Sequence, residues 1–194
     1  MKKLTADELL RRYAKGERNF ENIDLSHEKL SNKNLRDIDL ANSNLKGVDF
    51  RGANLKDANF SKANLSGANL SNANLNGALL DDAILIGANL SNADLTDAWL
   101  QASNLNSVIA RYAKFVNAHL AGGTDLRNAD LEHADFRDAD FRYADFRGAD
   151  LNHADIDNSV DNEYSEGAKF TYGREGEPSG GGLIKFQGHF GDEG

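Results

Sequence analysis

Four five-residue units in succession decide the fold of this chain: Ala53-Asn54-Leu55-Lys56-Asp57, Ala58-Asn59-Phe60-Ser61-Lys62, Ala63-Asn64-Leu65-Ser66-Gly67 and Ala68-Asn69-Leu70-Ser71-Asn72. Each runs small, Asn, large apolar, then two residues that are polar or glycine. With the large residue as centre i, the unit recurs every five residues from Leu25 to Leu120, 20 units in all. The next centre falls due at 125, but Asp125 stands there and Leu126 follows. One residue is therefore inserted within Ala121-Gly122-Gly123-Thr124. The frame resumes from Leu126 to Ile156 for seven more units, and Ala110 is the one weak centre.

A period of five matches neither the 3.6-residue helix nor the two-residue strand. It matches a chain that turns a corner every five residues, so that four sides close a square coil. In each side the i and i−2 residues point inward, and i−1, i+1 and i+2 point outward. The crowded corner admits only Ala, Ser or similar at i−2. Leu and Phe fill a narrow interior, each contributing about 1.5–3 kcal/mol on burial. Outward Asn and Asp hydrogen-bond turn backbone. Coils stacked at about 4.8 Å give a rod of about seven coils, ~33 Å tall. Each coil touches only its neighbours, so stability is quasi-one-dimensional.

A solenoid needs shielded ends. Thr5-Ala6-Asp7-Glu8 reads as a capping box with Thr5 at N-cap and Glu8 at N3. Leu9, Leu10, Tyr13 and Ala14 make an apolar stripe, and Gly16 is placed to end the helix. The expectation is a short helix over 6–15 lying on the first coil, within an N-terminal unit 1–17. The solenoid is expected over 18–158. In its first coil the i−2 positions hold Arg18, Ile23, Glu28 and Lys33, whose charged members must face the helix or solvent. Residues 159–194, with Pro178 and Gly180-Gly181-Gly182, read as a Gly-rich tail or partial cap in which Phe170, Leu183, Ile184 or Phe186 shields the last coil.

Units such as Ala63-Asn64-Leu65-Ser66-Gly67 and Ala149-Asp150-Leu151-Asn152-His153 resemble the A(D/N)LXX consensus of the pentapeptide repeat family, over about residues 18–158. The segment from Leu9 to Phe20 is similar to the N-terminal cap of many cyanobacterial members. The resemblance implies an all-β, right-handed quadrilateral β-helix with a short N-terminal capping helix.

On such a rod, functional residues must be outward and align about every 20 residues. The side centred on Leu40, Phe60, Leu80, Leu100, Leu120 and Phe141 breaks the polar rule, with Leu79, Trp99 and His119 at successive i−1 positions. Tyr143 lies further along it, and Ile84 and Ile86 flank Leu85 around the corner. Clustered exposed apolar groups mark interaction sites, and Trp and Tyr are enriched at hot spots. Leu79, Ile84, Ile86, Trp99, His119 and Tyr143 are therefore the candidate contact for a protein partner or a second copy. Ile109 is a similar anomaly on another side.

The side centred on Leu35, Leu55, Leu75, Leu95, Phe115, Phe136 and Ile156 is acid-rich, with Asp37, Asp57, Asp94, Asp97, Asp135 and Asp138 outward. In the family's gyrase-binding members such a ladder imitates duplex DNA, which gives the alternative reading of an acidic topoisomerase inhibitor. Arg36, Lys56, Lys114 and Arg137 interrupt it here. On a third side His133 and His153 stack near Asp130 and Asp150, too few ligands to define a metal site. Arg127, Arg137, Arg142 and Arg147 each follow a centre and fall on three sides, within reach of the Asp two residues earlier.

Composition sets the outer bounds. The chain has 194 residues, 31 Asp and Glu against 22 Lys and Arg, a net charge of −9 and no Cys. That charge opposes direct nucleic-acid binding, and the missing Cys removes disulfides and thiolate metal sites. No run reaches the ~20 apolar residues of a membrane helix, and Met1 to Leu10 lacks the apolar run of a signal peptide. A cytoplasmic location follows as an expectation. A filled interior, no phosphate loop and no Ser–His–acid pattern point away from catalysis, and no cofactor is expected. The sequence reads as a rigid, non-enzymatic protein-binding module.

Overall fold

The period of five has a direct backbone cause, visible in a computed structural model of the chain that describes residues 1–159. At almost every i+2 position φ is positive, from 54° at Ala102 to 78° at Gly122. This left-handed conformation suits Gly, Asn and Asp, which dominate there, although Lys62, Tyr112 and Tyr143 also adopt it. It turns the corner, and the i−2 amide then bonds back to the preceding centre, as from Ala83 to the Leu80 carbonyl at 3.0 Å.

Between corners the chain is extended and bonds to the turns above and below. The Ile84 amide donates to the Ala63 carbonyl at 2.9 Å, and the Leu85 amide donates to the Asn104 carbonyl at 2.7 Å. Parallel bridges link i−1 residues 20 apart from Asn19↔Asp39 to Trp99↔His119. From Asn104↔Asp125 to His119↔Asp140 the step is 21, where the insertion is absorbed, and it returns to 20 at Asp125↔Asp145. Five-residue sides with a 20-residue repeat make a four-sided coil. Each rung is labelled below by its centre on the Trp99 side: Phe20, Leu40, Phe60, Leu80, Leu100, Leu120 and Phe141. The other three sides follow in order around the rung as the Ile84, His133 and acidic sides.

Asn and Asp at i−1 hold the corner with their side chains. The Ser61 amide donates to Asn59 Oδ1 at 3.0 Å and the Asn106 amide to Asn104 Oδ1 at 3.0 Å. The centres are fully buried from Leu25 to Phe136, and so are the small i−2 residues from Ala53 to Ala149, Ser103 and Thr124 included. Ser103 and Thr124 hydroxyls both donate to the Leu100 carbonyl, at 2.6 and 2.7 Å. Phe115 and Phe136 stack 4.6 Å apart and 4° from parallel, whereas Phe136 and Phe141 meet edge to face.

The N-terminus adds two elements to the Phe20 rung. A strand, β1 (Lys2–Lys3), pairs in parallel with β2 (Ile23–Asp24). No pattern in the sequence marks β1, because a two-residue pairing carries no period. Helix α1 (Ala6–Ala14) ends one residue earlier than the sequence suggests, with Thr5 at N-cap accepting from the Glu8 amide. Leu9 is fully buried, and Leu4 nearly so. Of the irregular i−2 residues, Ile23 is buried, whereas Glu28 turns to the helix and accepts from the Ala6 amide at 2.9 Å. Arg18 lies over the Tyr13 ring at 3.7 Å. The tail reading of 159–194 lies almost wholly outside the described residues. No helix among the described residues is long and apolar enough to cross a membrane.

Candidate functional site

The outward anomalies are positioned by the ladder itself. An i−1 residue sits in the flat middle of a side, so three in register make a continuous stripe. Leu79 bridges Trp99, and Trp99 bridges His119. Leu79 is 38% exposed and Trp99 42%, and the Trp99 and His119 rings lie 4.2 Å apart at 31°. Ile84 and Ile86 are similarly exposed on the adjoining side of the Leu80 rung. The structure thus gathers five of the six candidates, and leaves Tyr143 apart. Tyr143, 68% exposed, sits in the Phe141 rung beside a shallow cleft of about 460 Å³ lined by Gly123, Asp125, Arg127, Asp145 and Arg147.

Two further exposed apolar residues lie on the side opposite Trp99. Ile109 and Tyr112, 43% and 55% exposed, lie on the His133 side of the Leu100 rung. Apart from Tyr143 and Met1, every exposed large apolar residue among those described falls between 79 and 112. Tyr112 was missed in the sequence, although adding 21 residues across the insertion leads to His133. The Tyr112, His133 and His153 rings form a stack with 4.7 Å steps, tilted by only 6° and 12°. Imidazole lone pairs lie in the ring plane, so parallel rings do not aim two nitrogens at one ion.

The acidic side is less free than its sequence suggests. Asp135 is held by Arg137 at 2.7 and 2.9 Å, and Asp57 by Arg36 at 3.2 Å. Asp37, Asp57, Asp97 and Asp138 share the i+2 corner, but Gly77 and Asn117 interrupt that column. At Gly77 an added Cβ would come 2.6 Å from Asp57 Oδ1, a contact that the Asp57 side chain relieves by moving aside.

The Asp-x-Arg units pair as their spacing implies. Arg127, Arg137, Arg142 and Arg147 each bind the Asp two residues earlier through Nε and Nη2 at 2.5–2.9 Å. Arg111 bridges Asp130 and Glu132 at 2.6 and 2.7 Å. Charge is unequal along the rod. Residues 1–78 hold 13 basic and 10 acidic side chains, net +3, whereas residues 125–158 hold 4 and 10, net −6.

A closed ladder and a filled interior define a four-sided β-solenoid. The pentapeptide-repeat family model matches in eight copies over residues 19–57, 58–97, 88–123 and 122–158. The chain belongs to the pentapeptide repeat family, whose members form right-handed quadrilateral β-helices. Among solved structures it is similar to trypsin-treated QnrB1, a plasmid-mediated fluoroquinolone resistance protein, at 23% identity over 80% of this chain and 83% of that one, TM-score 0.40. It is similar to HetL, involved in heterocyst differentiation regulation in the cyanobacterium Nostoc sp. strain PCC 7120, at 26% identity over 86% and 94%, TM-score 0.28. Rfr23 of the cyanobacterium Cyanothece 51142 matches at 22% identity over 85% and 94%, TM-score 0.36. No curated protein matches the chain.

Proposed function

We propose that this protein is a rigid, non-enzymatic binding module: a rod of about seven rungs, closed at its N-terminal end by α1 and β1, that presents the Leu79–Trp99–His119 stripe to a protein. The observation that carries this reading is the placement of Leu79 and Trp99. Both occupy positions where the repeat calls for Asn or Asp, they are direct neighbours across the ladder, and both remain exposed. A single exposed apolar residue is ordinary. Two in register beside Ile84 and Ile86 make a patch that costs solubility unless something covers it. The rod supplies preorganisation, because its side chains stand on a hydrogen-bonded frame that need not be ordered on binding.

The test is Trp99→Ala, compared with wild type in solution mass and in partner capture from lysate. Trp99 is outward, so the variant is expected to fold with thermal stability near wild type and to lose at least ~10-fold in affinity, the weight of a hot-spot Trp. Unchanged self-association and unchanged capture together would remove the reading.

A second reading rests on the net −6 of residues 125–158. A negative rod end can occupy a groove built for duplex DNA, and inhibition of gyrase supercoiling at micromolar protein would support it. Duplex DNA offers a charge about every 1.7 Å of axis, whereas the Asp column has gaps and Asp135 is neutralised by Arg137. No inhibition is the expected outcome.

A further inference from the structure

We infer that the occupant of the Trp99 side is a second copy of this chain, packed antiparallel about a twofold axis that crosses the side between the Leu80 and Leu100 rungs. The inference rests on the binding-module reading and names its partner. A twofold in the plane of contact reverses the rod axis and keeps each column facing itself. It therefore sets the Leu80 rung against the Leu100 rung of the second copy, the Phe60 rung against Leu120, and the Leu40 rung against Phe141.

The columns fit that operation. In the i−1 column Leu79 of each copy meets Trp99 of the other, and Asn59 meets His119. In the i+1 column Ala41 meets Arg142, Ser61 meets Ala121, and Asp81 meets Gln101, an acceptor against an amide donor. In the i+2 column Lys62 meets Gly122, and Asp82 meets Ala102. Long side chains thus face short ones at Arg142, Lys62 and Asp82, as an isologous contact requires. Asp39 meets Asp140, but Arg142 already holds Asp140 at 2.7 Å and lies next to the incoming Asp39.

Other arrangements fit less well. A twofold along the rod sets the apolar i−1 column on the i+1 column, so that Leu79 meets Asp81. An antiparallel axis through the Leu80 rung opposes Asp81 to Asp81 and Asp82 to Asp82. An axis through the Leu100 rung leaves both the Phe20 and Leu40 rungs without a partner. The antiparallel sense also sets the net +3 of residues 1–78 against the net −6 of residues 125–158, which steers association.

The paired rungs offer a rectangle of about 10 by 29 Å per copy on strand dimensions. That is below the ~800 Å² per partner of a standard interface, so the dimer is weak and reversible. Sedimentation equilibrium of the full chain over about 5–500 µM is expected to show a monomer–dimer equilibrium that Trp99→Ala shifts towards monomer by at least ~10-fold. The chain has no Cys, so register can be tested without background. Ser61→Cys combined with Ala121→Cys leaves Leu79 and Trp99 intact. A short bis-maleimide should link this double variant between copies and neither single variant to itself, since within one copy the two sites lie three rungs apart, ~14 Å. Equal linking of the single variants, or no linking of the double, overturns the geometry. A monomer throughout that range, with capture of a different protein still dependent on Trp99, overturns the second copy and leaves the binding-module reading standing. Loss of neither property in Trp99→Ala overturns both.

Discussion

Replacing Phe115 with alanine is expected to cost about 3–5 kcal/mol of folding stability, the usual penalty for emptying a buried phenylalanine site. Phe115 is fully buried, and its ring stacks on Phe136 at 4.6 Å. The site has little means of collapsing. The Leu95 amide bonds to the Lys114 carbonyl at 2.7 Å, and the Phe115 amide bonds to the Asp135 carbonyl at 2.6 Å, so the backbone is held from both neighbouring rungs. The Leu100 rung also already contains one undersized centre, Ala110, beside Leu100 and Leu105. The variant would leave two of four centres as alanine. Denaturant unfolding reads the loss, and the midpoint should fall without recovery from rearrangement. A change under ~1 kcal/mol would show that the interior adapts like a liquid, contrary to close packing. Because each rung rests only on its neighbours, the defect should also divide the rod, with amides from 100 to 136 losing exchange protection before those from 40 to 80.

The rod was legible in the sequence because five-residue spacing leaves a mark at every unit. Even the insertion was visible, as a single slip of frame between Leu120 and Leu126, and the ladder shows it as 21-residue bridges. Thr5 and Glu8 located the start of α1 for the same reason: a local hydrogen bond needs particular residues at fixed spacing. Features made by distant encounters were not legible. The pairing of β1 with β2 and the turn of Glu28 towards the Ala6 amide depend on how the N-terminus folds back. The i+2 composition of Gly, Asn and Asp was in plain view, yet only the positive φ values explain it. Leu79, Trp99 and His119 stood out because the consensus forbids them at i−1. Tyr112 did not, because i+2 tolerates many residues and its partner His133 lies across the insertion.

Acid is expected to open the C-terminal rungs first. Asp125, Asp135, Asp140 and Asp145 are each held below the usual carboxylate range, chiefly by hydrogen bonds from the Arg two residues on. Backbone amides of the same arginines assist, while partial burial opposes. Only Asp49 shares this Asp-x-Arg arrangement in the N-terminal half. The sign follows from linkage. Carboxyls whose folded affinity for protons is lowered stabilise the fold fully above the unfolded value of about 3.9, and lose that contribution as pH falls through the folded values. Below about pH 4 the rod should therefore fail from the Phe141 rung upward rather than all at once. Pepsin is active in that window, and among the described residues it should cut near Phe136, Phe141 and Phe146 before it cuts near Phe50 or Phe60. Asp140→Asn with Asp145→Asn should lessen the pH dependence, since the amide oxygens can still accept the backbone bonds but no longer titrate. Cleavage that begins at Phe50, or an acid response unchanged in that double variant, would show that the Asp–Arg pairs are surface ornaments with no share in the stability of those rungs.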